Sequence, residues 1–92
     1  METLASVRLA GELDLSNVSI LRAKFAAIDG PAVVDLSDVT YLDSTALNEL
    51  ALLRRRVGNV ALVVGSANVR RTLEIVGFST SFRIVTKREE LG

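Results

Sequence analysis

Short apolar runs alternate with helix-period stripes along this chain, and glycine or proline separates most of them. That alternation constrains the fold more than any other feature. Val7 and Leu9 flank Arg8 in a run ending at Gly11-Glu12-Leu13, which reads as a strand. Val18, Leu21, Phe25 and Ile28 recur at helical spacing, with Ser16 or Asn17 as the expected N-cap and Gly30-Pro31 as the stop. Ala32 to Leu36 is a mostly apolar run after that breaker, the mark of a buried strand. Leu47, Leu50 and Val57, with Ala46 and Ala51, form a second helical stripe that Gly58-Asn59 ends. Val60 to Val64 is apolar at every position. Val69, Leu73 and Val76 mark a third helix stopped at Gly77, and Phe82, Ile84 and Val85 a last short strand. Thr86 to Leu91 reads as a frayed helical tail.

The order β-α-β-α-β-α-β with short connections predicts the α/β class: a small, mostly parallel sheet with three main helices plus a short C-terminal helix, joined by right-handed crossovers. Ninety-two residues without a repeat, a low-complexity tract or a linker make one domain over residues 1–92.

Composition then removes whole classes of chemistry. The chain has no Cys and no His, so it offers no disulfide, no thiolate metal site, no thiol nucleophile and no imidazole base. A serine without such a base has nothing to activate it, and the expectation is that the protein is not an enzyme and takes no metal and no cofactor. A formal net charge of zero gives no overall pull towards nucleic acid or an anionic membrane. The longest apolar run is five residues, and METLASVRLAGELD lacks the pattern of a secretory signal, so a cytoplasmic location without membrane insertion is expected. The zero conceals an asymmetry. Residues 1–53 carry eight acids against three bases and are −5, while residues 54–92 carry eight bases against three acids and are +5. Two readings stand: halves that neutralise each other in the fold, or an acidic surface shown to a partner.

In a parallel sheet the loops leaving the carboxyl ends of the strands gather along one edge, where ligands usually bind. Three such loops are expected: Asp14-Leu15-Ser16-Asn17, Ser37 to Thr45, and Gly65-Ser66-Ala67-Asn68. Their residue types also suit plain turns and caps. The second loop says more, because an apolar Val39-Thr40-Tyr41-Leu42 leads into Asp43-Ser44-Thr45 just before the longest helix. Each of the three is a good N-cap, and one is enough. A spare hydroxyl at a helix N-terminus suits a phosphoryl acceptor, since orphan N–H groups and the dipole favour an anion there. Phosphate at Ser44 would add about −1.5 to −2 charges beside Asp43.

Weaker constellations have blander explanations beside them. Arg54-Arg55-Arg56 could be a nucleic-acid patch, or bases complementing a helix C-terminus. Arg70-Arg71, near a helix start, are candidates to anchor the acidic half or an anionic ligand. Asp35, Asp38 and Asp43 raise a Mg²⁺ pocket, disfavoured because Asp35 and Asp38 are placed in a loop and no lysine follows a later strand. Gly65-Ser66-Ala67-Asn68 is too short and lacks the Lys of a phosphate loop.

The stretch from Val33 to Leu47, VVDLSDVTYLDSTAL, with Gly11-Glu12-Leu13-Asp14 upstream, resembles a STAS domain. More narrowly it is similar to the single-domain bacterial anti-sigma factor antagonists, from about Val7 to Val85, with Gly77-Phe78 and the last strand in family order. The resemblance implies a STAS-like fold and a regulatory switch. In that family the Ser after the Asp is phosphorylated by an anti-sigma factor that is itself an ATP-dependent serine kinase. The unphosphorylated form binds that kinase and releases sigma, and a phosphatase resets the cycle. The matching acceptor is Ser44, with Thr45 as the alternative. Asp43 supplies the local charge and cap, and Asp14, Ser16, Asn48 and Ser66 are the expected partner-binding residues beside it.

Two departures from the family are visible. Ala46 and Asn48 stand where the family usually has glycines, and Ala46 is expected to narrow or re-tune the approach of a partner. The chain is also short at its N-terminus, so the family's usual first strand is expected to be clipped or missing. The Val7 to Leu13 strand would then lie nearer the sheet edge, open to pairing with another chain. Two other functions remain open on the same residues: an unphosphorylated interaction subunit of a scaffold or transporter complex, and a binder of a small anionic ligand or nucleotide.

Overall fold

Val60–Val64 illustrates why the sheet forms where it does. It is β3, with Leu62, Val63 and Val64 almost fully buried, so both faces of the strand are covered. A strand of this kind needs neighbours on both sides. The computed structural model, which describes residues 4–91, supplies them: β1 (Ala5–Leu13), β2 (Ala32–Leu42), β3 and β4 (Arg83–Val85) form one parallel sheet in the order β1-β2-β3-β4. Between them run α1 (Val18–Ala26), α2 (Ser44–Val57) and α3 (Ala67–Ile75).

The period-two alternation sorts the side chains. Val34, Leu36, Leu62 and Val64 face the helices and join Leu21, Phe25, Leu50, Leu53, Val69 and Leu73 in the main core. Val33, Val63 and Val85 point to the opposite face and make a smaller cluster, against which Ala61 and Leu91 pack. The order of elements and the α/β class are as the sequence predicts. The C-terminal tail is a 3-10 turn over Arg88–Leu91.

Four local expectations give way. The second strand does not stop at Leu36 but runs to Leu42, so most of the expected loop from Ser37 to Thr45 is strand. Val39 and Leu42 are buried, and two register irregularities against β1 each place one extra residue on β2. Those extra residues scramble the simple alternation that would have marked a long strand. Asp35 and Asp38 therefore sit on β2 rather than in a loop, and Asp38 pairs with Arg8 across the sheet at 2.7 Å. Neither Ser16 nor Asn17 caps α1 through its side chain; a 3-10 turn over Leu15–Asn17 leads into the helix and Asp14 caps that turn. Ile28 is buried but follows the end of α1, and Val76 follows the end of α3 and is exposed.

Glu49 is the buried charge of the core, only 7% exposed, and its carboxylate accepts from Arg22 Nε at 3.1 Å. The arginine run fits the helix-end reading. Arg56 donates to the carbonyls of Phe25 and Ile28, closing the C-terminal end of α1, and Arg54 Nε donates to the Ser81 carbonyl. Arg70 does not reach into the acidic half: its charge acts on Glu90, held below the usual range first by the Thr86 hydroxyl and only in smaller part by Arg70.

Partial burial pushes the Asp35 carboxyl up, but the Ser37 hydroxyl and backbone N–H donate to it and Arg8 and Arg88 attract it. The balance leaves it below its ordinary value. A carboxyl lowered in the folded state stabilises the fold above its unfolded pKa of about 4, and that contribution drains away as pH falls through the folded value. Urea midpoints measured between about pH 5 and pH 2 should therefore fall less steeply in Asp35→Asn than in the parent.

Candidate functional site

Parallel pairing brings the ends of β1, β2 and β3 to one edge of the sheet, and there the loops after β1 and β2 are joined by a single carboxylate. Asp43 follows Leu42 in extended conformation and caps α2: its Oδ1 accepts from the Ala46 N–H at 2.9 Å. Its Oδ2 accepts from the Leu15 N–H at 3.0 Å, and its own N–H donates to the Leu13 carbonyl at 3.1 Å. The run Asp-Ser-Thr offers three caps and the fold uses Asp43, which leaves the other two hydroxyls free of that task. Ser44, the first residue of α2, is exposed, and among the described residues its hydroxyl makes no hydrogen bond. Thr45 is half-buried, so Ser44 carries the more accessible hydroxyl.

The loop after β1 is braced from within. Asp14 Oδ1 accepts from the Ser16 N–H at 3.0 Å and from its hydroxyl at 2.5 Å, while Asn17 Oδ1 accepts from the Asp14 N–H at 2.9 Å. Asn17 Nδ2 donates to the Glu12 carbonyl at 2.7 Å. This reciprocal bracket fixes the Asp14 carboxylate in the loop that Asp43 ties to α2 through the Leu15 N–H. Asp38 does not join them, because it lies back along β2 with Arg8 compensating its charge.

Asn48 lies one helical turn beyond Ser44 and is exposed on the same side of α2. Ser66 caps α3 through its hydroxyl, at 3.4 Å from the Val69 N–H. Among the described residues no hydrogen bond joins Ser66 to the Asp14–Asp43 cluster. The link to that loop runs instead through Asn68 Nδ2, which donates to the Thr40 carbonyl near the end of β2 at 3.2 Å. Ala46 does not face a partner: it is 1% exposed and part of the core, so the methyl group that replaces the family's glycine fills the protein's own interior. Asn48 is thus the departure that lies on the surface.

Four residues within the expected loops take roles that the sequence reading does not assign them. Asn17 holds the first loop, and its spacing of three from Asp14 was the signal that could have found it. Leu15 is 70% exposed and Tyr41 44% exposed, apolar groups that alternation alone assigns to no surface. Gly65 is the fourth. A Cβ there would stand 2.6 Å from the Ser37 carbonyl oxygen, so the end of β3 lies against the β2 backbone as only glycine permits. Gly65→Ala should cost about 1–3 kcal/mol in urea unfolding. Gly30→Ala is the control, because a Cβ at Gly30 meets nothing within 4 Å.

Among the described residues no group of three or more His, Cys, Asp or Glu side chains is placed to hold a metal, and Asp35, Asp38 and Asp43 make no such pocket. No described helix is long and apolar enough to cross a membrane.

Comparison with known proteins agrees with this fold. The solved structure of the anti-sigma factor antagonist SpoIIAA in its unphosphorylated form is similar over 98% of this chain and 87% of that one, with a TM-score of 0.68 and 24% identity. A STAS-domain containing protein of Pseudomonas aeruginosa (strain UCBPP-PA14) is 45% identical over a segment covering 56% of this chain. The matched segment spans 55% of that protein's length. The family model described as "Mlab, STAS domain" matches residues 3–86, nearly the whole sequence. The chain belongs to the STAS domain family.

Proposed function

We propose that this protein is a regulatory switch of the anti-sigma factor antagonist type, docking the Ser44 edge onto an anti-sigma factor serine kinase and released when that kinase phosphorylates Ser44. The observation that carries the reading is the state of Ser44. Its hydroxyl is exposed, unbonded and first in α2, while the neighbouring Asp43 already does the capping. A kinase can therefore take the hydroxyl without unfolding the helix start. The resulting phosphate would face unpaired N–H groups of the first turn, which favour it, and the Asp14 and Asp43 carboxylates, which do not. A partner fitted to the neutral edge would meet about two added negative charges and three new acceptor oxygens, with no surface prepared to solvate them.

The structural likeness to an anti-sigma factor antagonist named for its unphosphorylated form supports the same role. Asp14, Ser16, Asp43 and Asn48 form the contact surface around the acceptor, with Ser66 at its margin, and a phosphatase returns the protein to its binding form. The direct test is incubation with the cognate anti-sigma kinase and ATP followed by site mapping. Phosphate on Ser44, lost in Ser44→Ala, is the expected result; phosphate on none of residues 43–45 would refute the switch. A complex that binds equally well with Ser44→Asp would favour an unphosphorylated interaction subunit instead.

A further inference from the structure

The strand order leaves β1 at one edge of the sheet, and among the described residues no strand pairs with its outer side. An edge of nine residues is usually blunted by a bulge, a proline or a lysine. Here both register irregularities place the extra residue on β2, the inner strand, and Ala5–Leu13 contains neither proline nor lysine; its one break in extended geometry is Gly11, at a φ of 78°. Beside that edge, between β1 and α1, lies a groove of about 360 Å³ lined in part by Leu9, Leu13, Ile20 and Leu21. Ile20 is 59% exposed although it sits over this apolar floor.

We propose that this edge is a self-association surface, on which a second copy of the chain adds its own β1 antiparallel about a two-fold axis at Ala10. Charge complementarity selects the occupant and the register. Pairing about Ala10 sets Arg8 of each copy, already paired with Asp38 on its own β2, opposite Glu12 of the other, so that each guanidinium would bridge two carboxylates. Pairing about Arg8 would oppose that residue to itself, pairing about Leu9 would leave both charges facing neutral residues, and pairing about Gly11 would set Arg8 against Asp14, which lies past the end of β1. Opposed residues in the Ala10 register also share a face. Leu9 and Leu13, buried under the helices, meet residues of the same side, and the exposed Arg8, Ala10 and Glu12 meet one another. The two α1 helices then lie on the same face of a continuous eight-stranded sheet, with the Ile20 side chains approaching each other across the junction. Asn17 Nδ2 already donates to the Glu12 carbonyl, but that oxygen has a second lone pair for the ladder. The proposal does not use the Ser44 hydroxyl, and its test reads oligomeric state alone, so it stands or falls independently of the phosphorylation switch.

Sedimentation equilibrium of the full chain from about 1 to 500 μM is the test. A reversible dimer is expected, at twice the 9.9 kDa chain mass. Arg8→Glu alone and Glu12→Arg alone should each weaken it by at least about tenfold, while a mixture of the two variants should form a 1:1 heterodimer, because complementary charges then face each other again. Ile20→Lys should weaken the dimer by a similar factor with an unchanged urea midpoint, since the side chain is largely exposed in the monomer. A monomer mass throughout the range would overturn the proposal. So would a dimer indifferent to Ile20→Lys, or two charge-reversed variants that fail to pair when mixed.

Discussion

Asp43→Ala is expected to destabilise the fold by about 2–3 kcal/mol, more than its place on a surface loop would suggest. Losing a helix N-cap alone costs about 0.5–2 kcal/mol, and a hydrogen bond to a charged group contributes about 1.5–3 kcal/mol. Asp43 supplies one of each from a single carboxylate, to Ala46 in α2 and to Leu15 in the neighbouring loop. The two effects share a side chain and a partly exposed setting, so their sum is an upper bound. Urea unfolding gives the magnitude, and hydrogen exchange gives the signature: the Leu15 and Ala46 amides should both lose protection, while the amides of β3 should change only with global stability. Asp43→Asn should recover most of the loss, because asparagine caps nearly as well and still presents one acceptor oxygen. A loss below about 0.5 kcal/mol in the alanine variant would mean that the carboxylate does not join the two loops.

Ser44→Asp is expected to separate binding from stability. A negative charge in the first turn of a helix is favourable by about 0.3–1 kcal/mol, so the urea midpoint should hold or rise slightly. Affinity for the cognate anti-sigma factor should nevertheless fall about 100-fold, equivalent to roughly 2.7 kcal/mol, because the new charge joins Asp14 and Asp43 on a surface fitted to a neutral hydroxyl. Ser44→Ala should bind nearly as the parent does, since among the described residues the hydroxyl makes no hydrogen bond. Titration calorimetry on the three proteins reads the difference. A Ser44→Asp variant that loses stability and affinity together would point to damage at the helix start rather than to a charge-gated surface.

The fold and the site are legible in the sequence wherever a residue's signal is local. Val60–Val64 and the end of α2 at Gly58 are readable, because a continuous apolar run and a glycine stop each need only their own neighbourhood. The second half of β2 is not. Ser37 and Asp38 look like loop residues in sequence, and only backbone pairing with β1, where Asp38 stands opposite Ala10, together with the burial of Val39 and Leu42, makes this stretch strand. The same limit applies at the site. Asp43, Ser44 and Thr45 are equivalent caps by residue type, and the choice falls to Asp43 because its second oxygen also reaches Leu15 across the sheet edge. Ala46 looks like a surface departure from a family pattern, and helix phase turns it inward. Glu49 counts among the acids of the −5 half, yet it is buried with Arg22 as its partner. The asymmetry of −5 and +5 is therefore only partly an asymmetry of surfaces.

The measurement that bears most directly on the switch is mass-spectrometric mapping of the protein isolated, with whatever it carries, from the cells that encode it. The expected result is phosphate at Ser44 in the free fraction, and unmodified Ser44 in the fraction bound to an anti-sigma factor. Phosphate absent from residues 43–45 in both fractions, or present at Ser44 in the bound one, would contradict it.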